Sequence, residues 1–268
     1  MPENLRGDII ENEKLLFLIR YLLAERSDAG KTAIPDNEEE RFRLYRSLVN
    51  IRPAREADEL FLRTEDEFLK ELISEAGITD ISDLKPAEDG IFLRQGDITT
   101  IKCGAIVNAA NSGMLGCMQP CHLCVDNCIH TFAGVRLRYE CAQVIQAQGH
   151  KEPTGQAKIT DAYNLPCDHV IHTVGPIVSG RLTDEHRRLL ESCYRNCLET
   201  AVQNGIKSIA FCCISTGVFG FPKKEAAEIA VRTVRDFRKS HDIQVIFNVF
   251  GNEDHEIYEK LLIGNPAA

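Results

Sequence analysis

Residues 208–222 have the sequence SIAFCCISTGVFGFP, in which a continuous apolar run leads into a glycine-containing turn and then a proline. A strand made only of apolar residues is typical of a parallel sheet that is covered on both faces. Proline is favoured in the first turn of a helix, so Pro222 predicts that a helix follows the turn. This stretch therefore predicts a strand–loop–helix unit of an α/β protein.

The same alternation of strand and helix patterns extends on both sides of this unit, from Gly90 onward. Apolar, β-rich runs predict strands at 91–93, 105–107, 157–160, 169–173, 208–214 and 244–250, and helices are predicted at 126–149, 184–204, 222–240 and 253–263. Strands that alternate with helices predict a three-layer α/β/α domain with a mixed, mostly parallel sheet.

The residues before this domain have a helical pattern. Leu15, Ile19 and Leu22 lie on one stripe of a first helix, and Asp36–Glu39 precede a second. Thr64–Glu67 match a capping box, which predicts that a third helix begins there.

The third helix is expected to end at Gly77, and residues 77–89 are predicted to form a linker. We therefore divide the chain into an N-terminal helical extension, residues 1–85, and the α/β domain, residues 86–268. The apolar stripes favour an extension that covers one side of the sheet, although its helices could instead recognise a protein partner.

The composition limits the partners of the protein. Its net charge is −9, and it lacks a dense cluster of Lys and Arg, which argues against nucleic acid as a partner. No apolar run approaches the roughly 18 residues that a membrane span needs. The apolar run from Leu15 to Ala24 is broken by Arg20 and lies far from any signal-peptide cleavage site. We expect a cytoplasmic protein with no membrane contact.

Cysteine is unusually frequent and clustered. The chain has 11 cysteines, an odd number, and one stretch contains Cys103, Cys117, Cys121, Cys124 and Cys128. Without a signal peptide, this pattern indicates metal or thiol chemistry rather than a disulfide framework.

Small and polar residues follow four of the predicted strands, at 96–99, 108–112, 215–222 and 250–252. Ligands of open α/β sheets bind outside the carboxyl ends of the strands, so these clusters predict a binding site. In the third cluster, Gly217 and Gly220 allow the backbone to turn its amides inward, and the following helix adds the positive end of its dipole. That arrangement suits a diphosphate, although small-residue loops also occur as ordinary connections.

The clusters and two further strings resemble the macrodomain family in sequence and in order. The strings are GDIT (96–99), NAANS (108–112), TGQAKIT (154–160), VIHTVGP (170–176) and ISTGVFGFP (214–222). The resemblance implies a macrodomain that binds ADP-ribose. On that resemblance Asp97, with Ile98 beside it, contacts the adenine, and Asn111 contacts the distal ribose.

The same resemblance assigns the diphosphate to Ser215, Thr216, Gly217, Val218, Phe219 and Gly220. Phe219 and Phe250 are candidates to stack on the adenine or to form a wall beside the ribose. Two alternatives stay open from the residues themselves, because Asp97 could merely cap its own turn and Asn111 could merely stabilise its own loop.

The stretch Gly116–Asn127 reads GCMQPCHLCVDN and carries a compact set of zinc-type ligands. It resembles the zinc-dependent macrodomain subfamily, whose pattern is G-C-x-x-P-x-H-x-C-x-D-N. The resemblance implies one Zn²⁺ ion held by Cys117, His122 and Cys124, with an open fourth position. Asp126 matches the family's Asp at the start of a helix, a position that Asp favours.

An alternative is a closed structural zinc site completed by Cys121 or Cys128. Cys128 and His130 are more simply interpreted as packed helix residues, and His172 as a core histidine with hydrogen-bond partners. The remaining cysteines are expected in the core, namely Cys103, Cys141, Cys167, Cys193, Cys197, Cys212 and Cys213.

These assignments imply a hydrolase that removes ADP-ribose from mono-ADP-ribosylated protein, with Asp126 and Asn111 as the catalytic residues. The resemblance further implies a lipoyl-carrier target related to the glycine-cleavage H protein. The main alternative is a non-catalytic ADP-ribose reader with a structural zinc. A zinc-containing nucleic-acid adaptor is a third class, which the acidic charge disfavours.

Overall fold

The computed structural model describes residues 3–27 and 32–264. Within them, the helical extension contains α1 (Glu3–Ala24), α2 (Glu38–Ile51) and α3 (Glu59–Ala76). The elements that follow are β1 (Thr79–Asp80), β2 (Pro86–Glu88), β3 (Ile91–Gln95), β4 (Ile101–Lys102), β5 (Ala105–Ala109), α4 (Val125–Ala133), α5 (Val135–Gln148), β6 (Ala157–Asp161), β7 (His169–Thr173), α6 (Asp184–Gln203), β8 (Ser208–Phe211), α7 (Lys223–Arg238), β9 (Gln244–Val249) and α8 (Asn252–Leu262).

The main sheet has seven strands in the order β2-β3-β9-β8-β5-β7-β6. The inner strands β3, β9, β8, β5 and β7 are parallel, and the two edge strands are antiparallel to their neighbours. The predicted three-layer fold with a mixed, mostly parallel sheet is confirmed. Parallel pairing brings the carboxyl ends of β3, β9, β8 and β5 to one edge, which is where the polar clusters begin.

Helices cover both faces of the sheet. The helices α6, α7 and α8 pack side by side, and α4 and α5 contact β5 and β6. The central strands carry fully buried side chains on both faces, such as Ile209 and Ala210 of β8. This explains why their sequences are continuously apolar.

The helical extension has a hydrophobic cluster of its own, which includes Tyr45, Phe61 and Phe68. Val135 at the start of α5 belongs to the same cluster, and α2 and α3 contact α4. The extension therefore packs mainly on the helix layer of α4 and α5 rather than directly on the sheet. The proposed domain boundary between residues 85 and 86 stays a prediction.

The capping-box prediction at Thr64–Glu67 is wrong. The helix α3 begins at Glu59, and its N-cap is Asp58, whose carboxylate accepts a hydrogen bond from the Phe61 amide at 2.8 Å. Thr64 lies inside the helix, where its hydroxyl donates to the carbonyl of Leu60. Asp58 caps the helix six residues before Thr64, because the apolar face that packs in the cluster already begins at Phe61.

Two other expectations were too simple. The linker 77–89 contains β2, which pairs with β3 at the edge of the main sheet. The long helix predicted at 126–149 is interrupted by Gly134, which has a φ of 92° and separates α4 from α5. A side chain at Gly134 would come within 2.7 Å of Glu65, so the break allows the helical extension to approach closely.

The strand predicted at 208–214 ends at Phe211, because the chain leaves the sheet there to form the following loop. In the part of the chain that the structure describes, no helix combines the length and apolar character that a bilayer span requires.

Candidate active site

One cleft at the carboxyl edge of the sheet brings together residues from all four polar clusters. Its volume is about 1450 Å³. The predicted site residues that line it are Asp97, Ile98, Asn111, Cys117, His122, Cys124, Asp126, Ser215, Thr216, Gly217, Val218, Phe219 and Phe250. Gly220, the last residue of the same loop, is not among the lining residues. Residues separated by more than a hundred positions in sequence therefore share one concave surface, as expected of a ligand site.

We call residues 215–220 the diphosphate loop. Its shape is held by backbone hydrogen bonds, from Phe221 to the Ser215 carbonyl (2.9 Å), from Gly220 to the Gly217 carbonyl (3.0 Å) and from Val178 to the Phe219 carbonyl (2.8 Å). Ser215 and Gly220 both have positive φ values, 66° and 68°.

Three backbone amides and one hydroxyl of the diphosphate loop are free to bind a ligand. The amides of Gly217, Val218 and Phe219 donate to no acceptor in the described part of the chain. The buried hydroxyl of Ser215 also has no partner there. Free amides beside the N-terminus of α7 make an anion site without any basic side chain.

Asp97 and Phe250 follow the paired strands β3 and β9, and both line the cleft. The Asp97 carboxylate accepts hydrogen bonds from the amide and hydroxyl of Thr99, at 2.9 and 2.8 Å, so it does cap its own turn. Its contact with adenine stays a prediction. Phe250 is 80% exposed, and a large apolar ring in this position is available for stacking.

Asp126 is the buried carboxylate of the cleft, with only 5% of its surface exposed. It lies in the first turn of α4 but makes no capping hydrogen bond. Instead its oxygens accept from Asn108 at 2.8 Å and from Asn111 at 3.3 Å. Burial raises the pKa of Asp126 to about 6, against the lowering effect of the Asn108 hydrogen bond and of the Arg138 charge.

Asn111 connects Asp126 to the cysteine-rich stretch. Its side-chain amide also donates to the Gly116 carbonyl at 3.0 Å, and its oxygen accepts from the Gly113 amide at 3.0 Å. Asn111 thus stabilises its own loop, as the alternative interpretation held, and its contact with a ribose stays a prediction.

We call residues 116–124 the metal loop. The ligand atoms of Cys117, His122 and Cys124 all lie within 4.8 Å of one another, and the Cys117 sulfur is 3.5 Å from His122 Nδ1. Sulfur and nitrogen ligands of a tetrahedral zinc ion are about 3.5 Å apart, so this donor set fits zinc in type and in spacing. Burial, and next the neighbouring Cys117 thiol, raise the pKa of Cys124 to about 12.

Two other thiols have different contacts, that of Cys121 within the metal loop and that of Cys128 just after it. The Cys121 thiol donates to the Arg43 carbonyl at 3.2 Å, and the Cys128 sulfur lies 3.9 Å from the Arg46 guanidinium. Neither belongs to the group of clustered ligand atoms found among the described residues. The geometry therefore favours three protein ligands, although zinc binding itself stays a prediction.

A second cluster of His130, Cys141 and His172 is buried behind the cleft. His172 is hydrogen-bonded to Asn108 at 3.1 Å and to Thr160 at 3.0 Å. The interpretation of His172 as a core histidine with partners is thus confirmed. Of the seven cysteines expected in the core, all are buried except Cys213, which is half-buried.

Several residues that shape the site were not predicted from sequence. Asn108 is the first residue of the quoted string NAANS, and its position at the end of a strand could have indicated a site residue. Arg46 donates to the His122 carbonyl, and the Asn127 side-chain amide donates to the Cys117 carbonyl, so both contact the metal loop. No local pattern indicates Arg46, because it lies 76 positions before His122.

Comparisons with known proteins agree with this geometry. The macro domain family model matches residues 107–230. A protein-ADP-ribose hydrolase of Treponema medium is 54% identical over 258 residues, covering 94% of this chain and 99% of the relative. A protein-ADP-ribose hydrolase of Staphylococcus aureus (strain MSSA476) is 47% identical over 251 residues, covering 92% of this chain and 94% of the relative.

Solved structures show the same fold. The Trypanosoma brucei macrodomain in complex with ADP-ribose has a TM-score of 0.63 and 31% identity, covering 81% of this chain and 94% of that one. A variant of the Oceanobacillus iheyensis macrodomain with ADPR has a TM-score of 0.58 and 39% identity, covering 63% of this chain and 90% of that one. With a cleft of this construction and relatives of nearly its full length, the chain belongs to the macrodomain family.

Proposed function

We propose that this protein hydrolyses the bond between ADP-ribose and a protein, with a zinc ion held by Cys117, His122 and Cys124. The observation that carries the proposal is the buried carboxylate of Asp126, which lies in the same cleft as the diphosphate loop and the metal loop. The names of the full-length relatives support the same activity.

Binding of ADP-ribose uses groups that the fold leaves free. The diphosphate accepts hydrogen bonds from the unpaired amides of the diphosphate loop, and α7 adds its dipole. The adenine lies towards Asp97, Ile98 and Phe250. The distal ribose then lies towards Asn111, next to Asp126 and the metal loop.

Cleavage at the anomeric carbon of the distal ribose develops positive charge on the sugar. Asp126 is placed to stabilise that charge or to take a proton from the attacking water. Asn108 and Asn111 hold its two oxygens, so the carboxylate keeps one orientation while the sugar reacts. Burial keeps bulk water away from it, which strengthens its interaction with a developing cation.

Cys117, His122 and Cys124 supply two thiolates and one imidazole, a donor set that suits zinc. When bound with three protein ligands, zinc supplies a Lewis acid with a position open to an oxygen of the substrate or of water. The protein partner is proposed only as a mono-ADP-ribosylated protein. A lipoyl-carrier target and a cytoplasmic location stay predictions from the resemblance and the sequence.

The decisive experiment incubates the protein with a mono-ADP-ribosylated protein and measures release of free ADP-ribose. Asp126→Asn should lower kcat/KM by about 100-fold or more, while ADP-ribose still binds. Asp161→Asn, an exposed carboxylate on β6, is the matched control and should keep full turnover. Binding without any release by the unaltered protein would establish the reader function instead.

Metal analysis of the purified protein tests whether it binds zinc. The purified protein should contain one zinc ion per chain, and chelation should abolish turnover until zinc is added back. Full turnover after complete removal of the metal would contradict its catalytic role.

A further inference from the structure

The metal loop is held from outside by side chains of α2, in the helical extension. One Arg46 nitrogen, Nη2, donates to the His122 carbonyl at 3.1 Å and to the Asn127 side-chain oxygen at 2.9 Å. Arg46 thereby contacts the backbone of one proposed ligand directly and reaches α4 at the same time.

Asn127, which accepts the hydrogen bond from Arg46, in turn binds the first half of the metal loop. Its side-chain amide donates to the carbonyls of Cys117 and Gln119, at 3.2 and 3.0 Å. Asn127 is fully buried, so its orientation is set by these bonds and by the bond from Arg46. The backbones of Cys117 and His122 are consequently tied to one guanidinium.

Asn50, one helical turn after Arg46, holds the middle of the loop. Its side-chain oxygen accepts from the Cys121 amide at 2.9 Å, and its amide donates to the Thr131 hydroxyl at 3.0 Å. Asn50 is 1% exposed, so water does not compete for these bonds. Cys121 has a φ of 55°, a left-handed conformation that is strained for a residue other than glycine. The bond from Asn50 helps to hold this conformation.

The metal loop makes few backbone hydrogen bonds of its own. Among the described residues, its amides reach backbone acceptors only through the bond from His122 to the Gln119 carbonyl, at 3.2 Å. Because its own backbone holds the loop only weakly, its shape depends on neighbouring side chains. Asn111 binds the Gly116 carbonyl, and Arg46, Asn50 and Asn127 bind the residues that follow.

We propose that the helical extension contributes to the metal centre. Arg46 and Asn50 are positioning residues that keep the metal loop in its ligand-binding shape. The inference rests on the proposed function, since it concerns the same site. It assigns the extension a role beyond covering α4 and α5. Groups that orient metal ligands from behind typically change metal affinity by about 10- to 100-fold when removed.

The first test measures the rate at which zinc leaves the full-length protein in the presence of a chromogenic chelator. Arg46→Ala and Asn50→Ala should each release zinc about 10-fold faster than the unaltered protein. Arg43→Ala removes a positive charge from the exposed side of the same helix and should leave the rate unchanged. Arg46→Lys keeps the charge but loses the planar fork, and it should restore zinc retention only in part.

The second test requires no metal and separates this inference from the proposed function. In zinc-free protein, hydrogen exchange at the Cys121 amide should be slow and should become at least about 10-fold faster in Asn50→Ala, because its acceptor is gone. ADP-ribose binding by zinc-free Asn50→Ala should stay within about twofold, because Asn50 does not line the cleft, and this shows that the fold and the diphosphate loop are intact.

The results separate the two ideas. If Arg46→Ala and Asn50→Ala retain zinc as long as the unaltered protein and the Cys121 amide exchanges no faster, the inference is overturned. If the unaltered protein holds no zinc, the proposed metal centre fails, and the exchange experiment alone decides whether α2 positions the loop. If zinc retention falls as expected but the unaltered protein releases no ADP-ribose, the inference stands and the proposed activity fails.

Discussion

The diphosphate loop and the metal loop lie in one cleft, but different parts of the molecule hold them. The diphosphate loop is held by backbone hydrogen bonds at Ser215, Gly217 and Phe219, all within the α/β domain. The metal loop is held mainly by side chains, and two of these, Arg46 and Asn50, belong to the helical extension. The first loop therefore depends on backbone bonds within the α/β domain, and the second also on side chains of the helical extension.

This difference indicates that the two loops of the cleft have separate tasks. In the proposed function, backbone amides recognise a feature common to every ADP-ribosyl group, the diphosphate, and local glycines suffice to present them. A metal centre needs its ligands held closely in position, which a loop with few internal bonds achieves only through neighbouring side chains. Changes to one loop should accordingly leave the other almost unaffected, and three predictions test this.

The largest effect is expected from the proposed ligands of the metal loop. Cys117→Ser and Cys124→Ser should lose bound zinc and lower turnover by about 100-fold, because a hydroxyl is a poor zinc ligand. Metal content and ADP-ribose release provide the measurement. ADP-ribose binding should change little, since the diphosphate loop is untouched.

Cys121→Ser and Cys128→Ser are the matched controls, because Cys121 lies within the metal loop and Cys128 just after it, and both thiols are outside the ligand cluster. Each should retain zinc and most of the turnover. Loss of zinc in either variant would favour a closed site with a fourth thiolate, and a structural rather than catalytic metal.

An intermediate effect is expected from Gly220→Ala in the diphosphate loop. Gly220 has a φ of 68°, and an added side chain would lie 3.1 Å from the Val178 carbonyl, so the loop must shift. A strain of about 1–2 kcal/mol corresponds to roughly tenfold weaker ADP-ribose binding, measured by calorimetry, with zinc content unchanged.

Gly205→Ala provides the comparison for Gly220→Ala. Gly205 has a similar φ of 72° after α6, and nothing lies within 4 Å of an added side chain. This variant should lose stability but bind ADP-ribose normally. Equal binding by both variants would mean that the diphosphate loop is more adaptable than its backbone bonds indicate.

The smallest effect on the cleft is expected from Glu65, where the extension meets α5. Glu65 is fully buried and accepts from the Tyr45 hydroxyl at 2.8 Å and from the Val135 amide at 2.9 Å. Burial raises the pKa of Glu65 from 4.5 to about 7. The folded chain therefore keeps a proton that the unfolded chain releases, and this contribution to stability is lost as the pH rises towards 7.

The free energy of unfolding should then fall between pH 5 and pH 7 more steeply than in Glu65→Gln, by about 1 kcal/mol per pH unit. Denaturant titrations at several pH values measure this, and Glu75→Gln, an exposed residue of the same helix, should behave as the unaltered protein does. Zinc release should become slightly faster on the alkaline side, whereas diphosphate binding should not change. An identical pH dependence in Glu65→Gln would show that this carboxyl does not link pH to the docking of the extension.

Local patterns in the sequence were sufficient for the layers of the fold and for the loops of the cleft. Continuous apolar strands, the turn before Pro222 and the spacing of Cys117, His122 and Cys124 all depend on residues close together in the chain. The order of the strands and the shared edge follow from parallel pairing, which brings the four clusters into one cleft.

Tertiary structure decided what depends on distant partners. The apparent capping box at Thr64–Glu67 is overridden, because Phe61 is buried and Asp58 caps α3 six residues before Thr64. The environment of Asp126 is set by its burial and by the hydrogen bond from Asn108, and the metal loop is held by Arg46 from another part of the chain. Sequence determines conformation where hydrogen-bond partners are near neighbours, whereas burial and long-range bonds exist only once the two hydrophobic clusters have packed together.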